Sequence, residues 1–165
     1  MECEPSACRT LGRYVYEIGN LNTGQMAPHF AQHDVDGKLI DLSGYRGRVV
    51  LLDFWASWCG PCHGEFPHLR RIVQKYTQER FSVIGVSLDD DLSALRKCSE
   101  KEGLNWPHIC GAQCWNDPGA KLFNIQRIPQ TYILDPDGRI AFKGKRDVAL
   151  EEAVDSLLTK ESNVS

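Results

Sequence analysis

Two cysteines separated by two residues, Cys59 and Cys62, are the part of the sequence with the clearest capacity for chemistry. Two thiols at this spacing can close a small disulfide ring, or one can attack a foreign disulfide while the other resolves the mixed disulfide. The attacking species is the thiolate, and the pKa of a free cysteine, about 8.5, falls to about 7 or below in many Cys-X-X-Cys motifs. The spacing therefore predicts a redox-active dithiol.

The elements around the two cysteines place them where such activation occurs. Residues 48–53 form an apolar run that is typical of a buried strand. Apolar residues recur at helical spacing after the motif, so we expect a helix over residues 60–79. Cys59 then lies at the helix N-terminus, where unsatisfied N–H groups and a partial positive charge favour a thiolate. Gly60 and Pro61 suit this entry because proline is tolerated in the first helical turn.

The sequence allows three alternatives to a redox-active dithiol. Cys59-Gly60-Pro61-Cys62-His63 also spells the C-x-x-C-H motif of c-type haem attachment. The buried strand that leads into the motif, and the flanking Trp55 and Trp58, argue against haem. A zinc site would need a second ligand pair, and the candidates Cys110 and Cys114 lie several elements away. A purely structural disulfide is the third alternative. We expect no metal, and no cofactor besides the redox-active disulfide itself.

These residues resemble the thioredoxin superfamily, and within it the TlpA/ResA-like thiol–disulfide oxidoreductases. Trp58-Cys59-Gly60-Pro61-Cys62 looks like the thioredoxin active site, Asp53 stands where thioredoxins carry a buried aspartate, and Pro67 where they carry a helix-kinking proline. The resemblance covers roughly residues 26–145. The stretches that match the TlpA/ResA-like family are Ala27-Pro28-His29-Phe30, Asp36-Gly37-Lys38, Leu42-Ser43-Gly44-Tyr45-Arg46-Gly47, Cys62-His63-Gly64-Glu65-Phe66-Pro67, Gly85-Val86-Ser87-Leu88-Asp89, Ile128-Pro129-Gln130-Thr131-Tyr132 and Leu134-Asp135-Pro136-Asp137-Gly138.

The resemblance implies an α/β thioredoxin fold. A central mixed sheet would be flanked by helices, with an N-terminal β-hairpin extension and a central helix-strand insertion. The pair Asp36-Gly37 independently indicates a hairpin within residues 30–42. We predict a thioredoxin-like domain over residues 26–160, preceded by an extension, residues 1–25, whose order the sequence does not decide.

The later elements follow the same scheme. An apolar strand at residues 81–88 completes a right-handed βαβ unit with the first strand and helix. Asp89-Asp90-Asp91 is predicted to cap the next helix, residues 92–102. Cys110 and Cys114 leave two interpretations open, a second dithiol that relays electrons or a buried thiol with an incidental neighbour. No helix N-terminus activates either thiol, which favours the second interpretation.

Pro129 precedes a predicted strand where the thioredoxin fold places a cis-proline opposite the dithiol. Because cis peptides are mostly confined to X-Pro bonds, we predict that the Ile128–Pro129 bond is cis. By the same resemblance Pro129 blocks metal ligation and presents the Ile128 backbone, to which a substrate peptide adds by strand-like hydrogen bonds. Trp58, Gly60 and Pro61 are the other expected substrate-binding residues.

Two acids are candidates for taking the proton that Cys62 must lose when it resolves the mixed disulfide. Asp53 lies on the buried strand, where a carboxylate is costly unless it is functional or well paired. Glu65 lies one helical turn after Cys62 and matches a glutamate typical of TlpA/ResA-like chains. We expect Asp53 to be the main base and Glu65 to tune the site, unless Glu65 is a surface acid paired with Arg or Lys.

Taken together, the sequence predicts an enzyme, a thiol–disulfide oxidoreductase that reduces protein disulfides through Cys59 and Cys62. A peroxiredoxin-like thiol peroxidase is the first alternative, but Trp55 to Trp58 stand where peroxiredoxins carry Pro and Thr before the cysteine. A redox-inert binding module of the same fold is the second, and the intact dithiol argues against it.

Composition limits the expected partners and compartment. The net charge is −3, from 19 basic and 22 acidic residues, and no basic stripe suggests nucleic acid. No apolar run approaches the roughly 18 residues of a membrane span. We expect a monomer with a disulfide-bearing protein substrate and an upstream thiol reductant, such as a membrane electron donor. The resemblance implies an extracytoplasmic protein whose leader lies outside this chain, with a cytoplasmic one as the alternative. Cys3 and Cys8 are expected to be loose terminal thiols.

Overall fold

The computed structural model describes residues 21–144 and 148–162, so the predictions for residues 1–20, including Cys3 and Cys8, lie outside the described residues. From residue 49 to residue 134, strands and helices alternate along the chain, as is typical of an α/β protein. In chain order they are β1 Ala31–His33, β2 Leu39–Asp41, β3 Val49–Trp55, α1 Gly60–Lys75, β4 Phe81–Ser87, α2 Leu92–Glu102, β5 His108–Ile109, α3 Pro118–Leu122, β6 Gln130–Leu134, β7 Ile140–Gly144 and α4 Val148–Ser162.

The central sheet has five strands in the order β5-β4-β3-β6-β7, and the β1-β2 hairpin forms a separate two-stranded sheet. The β3-β4 and β4-β5 pairs are parallel, whereas the β3-β6 and β6-β7 pairs are antiparallel. This mixed sheet, with its hairpin extension and the inserted α2 and β5, confirms the predicted thioredoxin fold.

β3 lies at the centre of the sheet, and all seven of its residues are buried, as an apolar run flanked by strands on both sides predicts. The predicted βαβ unit of β3, α1 and β4 is confirmed by the parallel pairing of its two strands. The helix is shorter than expected. It ends at Lys75 because Tyr76 adopts extended backbone angles, φ −127° and ψ 151°, and the chain then turns into β4.

β3 is buried on both faces of the sheet, since it sends alternate side chains to opposite sides and each side is packed. On one side, called here the α1/α4 face, the sheet packs against α1 and α4. The buried residues of this cluster from these elements are Val49 and Leu51 of β3, Leu69 and Ile72 of α1, and Leu150, Val154 and Leu158 of α4. Each fully buried side chain of this size contributes about 1.5–3 kcal/mol relative to exposure.

The opposite face is packed with aromatic rings. Phe54 of β3 lies 5.6 Å from Phe123 and 6.1 Å from Tyr132, measured between ring centroids. Phe30, just before β1, contacts Phe123 edge-on at 6.2 Å. The hairpin extension is therefore anchored in the same core that supports β3.

α2 has the bounds that the sequence predicts, and its two ends show why. The Asp91 side chain accepts a hydrogen bond from the Ser93 N–H at 2.8 Å, so Asp91 is the N-cap. Gly103 ends the helix in the left-handed region at φ +65°, which glycine adopts without steric cost. No helix of the described residues is long and apolar enough to cross a bilayer.

Candidate active site

The dithiol lies at the junction of β3 and α1, as expected. Cys59 is the N-cap residue of α1, and its Sγ accepts a hydrogen bond from the Cys62 N–H at 3.3 Å. The two cysteines form a disulfide with a Cα–Cα distance of 5.3 Å. Cys59 is 5% exposed and Cys62 is fully buried. The helix N-terminus that favours a thiolate is thus directed at Cys59, and Cys62 lies behind it.

The surroundings of the disulfide are exposed and partly apolar. Trp58, immediately before Cys59, is 47% exposed, although tryptophan is usually well buried. Gly60 and Pro61 are also exposed at the start of α1. A partner chain can therefore approach the dithiol across these three residues.

The Ile128–Pro129 peptide bond is cis, which confirms the prediction from the sequence. In the sheet register, Phe54 near the end of β3 pairs with Gln130 at the start of β6. The segment before β6 and the loop after β3 consequently meet at the same end of the sheet. Pro129 is buried and Ile128 is half-buried.

Asp53 and Glu65 take different positions. Asp53 is fully buried in the middle of the sheet, where it pairs in register with Gly85 of β4 and Thr131 of β6. Strand alternation directs its side chain to the α1/α4 face, the side on which α1 carries the dithiol. Glu65 lies on α1, three residues after Cys62, and is partly buried. Asp53 therefore lies on the side of the sheet that α1 covers, and Glu65 lies on α1 itself.

The prediction that the acidic run at residues 89–91 caps α2 is confirmed at Asp91, but Asp89 has a different role. Asp91 is the cap, whereas Asp89 is buried and accepts hydrogen bonds from the Ser57 N–H at 3.0 and 3.2 Å and from the Ser57 hydroxyl. The run of acids hid this role because each of them has the same capping propensity. A signal was available, since a polar residue directly after a buried strand often contributes to a site at that sheet edge.

His63 is a second residue whose role the sequence reasoning missed. Its Nε2 lies 2.7 Å from the Ser57 carbonyl oxygen, and its Nδ1 lies 3.6 Å from a carboxylate oxygen of Glu102 at the end of α2. The His63 ring thereby connects the residue after the dithiol to the loop before it. The histidine of the C-x-x-C-H motif thus contacts the loop before Cys59, and this contact does not involve a haem.

The remaining described cysteines lie in less reactive surroundings. Cys98 and Cys110 are free thiols, and burial raises the pKa of each above the usual range for cysteine. Cys114 belongs to a disulfide, so the structure does not join Cys110 to Cys114 as a second dithiol. Within the described residues, no three His, Cys, Asp or Glu side chains are grouped so that they could hold a metal ion.

Comparison with known proteins agrees with this geometry. Residues 23–143 match the AhpC/TSA family. The thiol-disulfide oxidoreductase ResA of Bacillus thuringiensis (strain Al Hakam) is 28% identical over 123 residues, which are 73% of this chain and 68% of the relative. ResA of Geobacillus kaustophilus is 30% identical over 117 residues, 71% of this chain and 66% of the relative. The solved structure of a thiol-disulfide oxidoreductase from Bacteroides fragilis is 30% identical with a TM-score of 0.75, covering 81% of this chain and 99% of that one.

These relatives are named thiol-disulfide oxidoreductases, and the Cys59–Cys62 disulfide at the start of α1 fits thiol–disulfide exchange. The peroxiredoxin alternative is not favoured. The exchange requires a disulfide-bearing substrate and a thiol reductant. By its family match and its fold, the chain belongs to the AhpC/TSA family of the thioredoxin superfamily and is a ResA-like thiol–disulfide oxidoreductase.

Proposed function

We propose that this oxidoreductase works as a reductase of protein disulfides, with Cys59 as the nucleophile and Cys62 as the resolving thiol. The observation that supports these roles is the position of Cys59 as N-cap of α1, with Cys62 fully buried behind it. The reductive direction is supported by Gly60-Pro61, the dipeptide of thioredoxin, whose potential is about −270 mV against about −120 mV for the oxidant DsbA.

In the proposed reaction, two electrons pass from the Cys59–Cys62 dithiol to the substrate disulfide. The Cys59 thiolate attacks one sulfur of the substrate disulfide, forming a mixed disulfide and releasing the first substrate thiolate. Cys62 loses its proton and attacks the Cys59 sulfur, which closes the Cys59–Cys62 disulfide and releases the second thiolate. The substrate disulfide is reduced to two thiols, and the enzyme must then be re-reduced by a thiol donor.

The test of these roles uses the two serine variants. Cys59→Ser should abolish the reduction of insulin disulfides, while Cys62→Ser should accumulate a mixed disulfide that reducing agent releases. In the fully reduced protein, Cys59 should react with iodoacetamide at pH 6 faster than Cys62 because only Cys59 lies at the helix N-terminus. Faster alkylation of Cys62 would contradict the assignment.

We further propose that Asp53 is the main base for Cys62 and that Glu65 tunes the site. The full burial of Asp53 supports its role as the base. Burying a carboxylate costs desolvation free energy, and such buried acids are concentrated at functional sites. Glu65 is one turn beyond Cys62 on the same helix, which puts it on the dithiol side of α1.

The substrate is proposed to bind as an extended segment. The exposed Trp58, with Gly60 and Pro61, supplies a surface beside Cys59. The Ile128 backbone, next to Pro129, offers hydrogen-bonding groups at the same end of the sheet, to which a substrate strand adds. Pro129 itself keeps metal away from the thiols, so the Cys59–Cys62 disulfide is the proposed redox group and no metal or cofactor is involved.

For compartment and partners, the ResA-like relationship supports an extracytoplasmic enzyme that receives electrons from a membrane thiol donor and reduces apocytochrome c disulfides. We propose that it acts as a monomer, because one chain supplies the whole dithiol site. The Cys62→Ser variant tests the partners directly, since the proteins that stay covalently bound to Cys59 in native cells can be identified by mass spectrometry. Capture of cytoplasmic proteins alone would contradict the compartment.

A further inference from the structure

We propose that Asp89 is a positioning residue of the dithiol site, which holds the loop that presents Cys59 through its hydrogen bonds to Ser57. The loop comprises residues 56–58, between the end of β3 and Cys59, and is called here the dithiol loop. The proposal concerns how the exchange reaction is supported and not its direction.

The contacts are concentrated on one buried carboxylate. Asp89 is 1% exposed and lies two residues after β4, where the strand ends next to β3. Its two carboxylate oxygens accept the Ser57 N–H, at 3.0 and 3.2 Å, and the Ser57 hydroxyl. The Ser87 hydroxyl donates to the same carboxylate from the β4 side. A buried carboxylate is tolerated only when such donors satisfy it, so the loop and the acid depend on each other.

The loop is also held from its other side. The Ser57 carbonyl oxygen lies 2.7 Å from His63 Nε2, in the first turn of α1. The backbone N–H, the hydroxyl and the carbonyl of Ser57 are therefore all engaged, and two of the three bind Asp89. Ser57 is two residues before Cys59, whose own N–H donates to the Ala56 carbonyl at 3.1 Å. A shift of Ser57 would therefore displace Cys59 from the N-cap position of α1.

A purely structural role for Asp89, as the anchor of the turn between β4 and α2, is the competing explanation. One contact fits this explanation: the Asp89 N–H donates a hydrogen bond to the Ser87 hydroxyl at 3.0 Å, within the turn itself. In that case, loss of the Ser57 contact would change stability and leave the reactivity of Cys59 unaltered. The reactivity of Cys59 therefore separates the two explanations.

The experiment measures the alkylation of Cys59 in the reduced protein with iodoacetamide at pH 7, resolved from the other cysteines by peptide mass spectrometry. Ser57→Ala should slow alkylation about tenfold, the factor that corresponds to the loss of a hydrogen bond to a charged group. Ser57→Thr retains the hydroxyl and should restore the rate. In the Asp89→Asn background, Ser57→Ala should cause little further change, because the charged acceptor is already gone.

Asp91→Asn is the matched control. It removes a carboxylate two residues away that caps α2, and asparagine caps a helix about as well as aspartate, so it should change thermal stability little and leave Cys59 alkylation unslowed. An unchanged rate in Ser57→Ala, or the same slowing with and without Asp89→Asn, would overturn the proposal. Alkylation needs no substrate, so this result stands apart from the insulin assay that tests the reductive direction.

Discussion

Gly85 of β4 is a position at which a single methyl group should damage the fold beneath the dithiol. A Cβ added at Gly85 would lie 2.4 Å from His108 Nδ1 and 3.0 Å from Trp55 Nε1. Neither ring is free to move. His108 is 5% exposed, its Nε2 lies 3.2 Å from the Leu104 carbonyl oxygen, and its ring packs 5.3 Å from that of Trp55. The glycine is thus required because two aromatic side chains occupy the space of its missing side chain.

The expected cost of Gly85→Ala follows from this overlap. Carbon and nitrogen atoms in contact normally stay about 3.5 Å or more apart, and overpacking a buried site costs about 1–3 kcal/mol. Replacing glycine by alanine recovers about 0.4–1 kcal/mol by restricting the unfolded chain. We therefore expect the free energy of unfolding to fall by about 1–2 kcal/mol, which lowers Tm by about 2–8 °C in a protein of this size.

Urea unfolding of the oxidised protein, monitored by circular dichroism, measures this change. Gly64→Ala is the matched control, because this helical glycine has no atom within 4 Å of its added Cβ and should gain about 0.5–1 kcal/mol. His108→Ala makes room for the methyl group, so Gly85→Ala should cost little in that background. An unchanged unfolding midpoint in Gly85→Ala, or costs that simply add in the double variant, would refute the packing argument.

Three further predictions concern acids and the same histidine. Asp53→Asn should lower the rate of insulin reduction near neutral pH by more than Glu65→Gln does; an unchanged pH–rate profile in Asp53→Asn with a large loss in Glu65→Gln would reverse the two roles. Burial lowers the pKa of His108 below its usual 6.5, so the unfolded chain takes up the proton first and stability should decline as the pH falls below about 6.5. His108→Gln should flatten the dependence of Tm on pH between about 7 and 5, and an equally steep dependence would contradict this origin. Asp117→Ala should cost about 2–3 kcal/mol, because its buried carboxylate accepts the N–H groups of three residues, whereas Asp91→Ala, an exposed cap, should cost about 1 kcal/mol in the same unfolding assay; equal losses would refute the distinction.

The parts of the fold that the sequence predicts are those with local signals. The dithiol at a helix N-terminus follows from a buried strand, a Cys-Gly-Pro-Cys spacing and an amphipathic helix, all within 30 residues of chain. The cis bond at Pro129 follows from a proline before a strand together with the family resemblance. The bounds of α2 follow from an acid before the helix and a glycine after it.

What the sequence does not show depends on contacts between distant segments. Asp89 and Ser57 are 32 residues apart and meet only because β3 and β4 end side by side. Likewise, Gly85 looks like any strand glycine until His108 of the inserted β5 is packed over it. The end of α1 at Lys75 was missed because the pattern of apolar residues continues past the point where the backbone becomes extended.

The chain before β3 reaches both borders of the central sheet. Near β5, the Val35 N–H donates to the His108 carbonyl at 2.9 Å, and Asp34 forms a bridge with Ile109. At the other border, Gln25 and its neighbours bond to Ile140 at the start of β7. Unpaired strand borders are where a second molecule adds its own backbone and where aggregation begins. Residues 24–26 and 34–35 thus cover part of both borders, and we expect a version trimmed to begin at β3 to self-associate more readily than the whole chain.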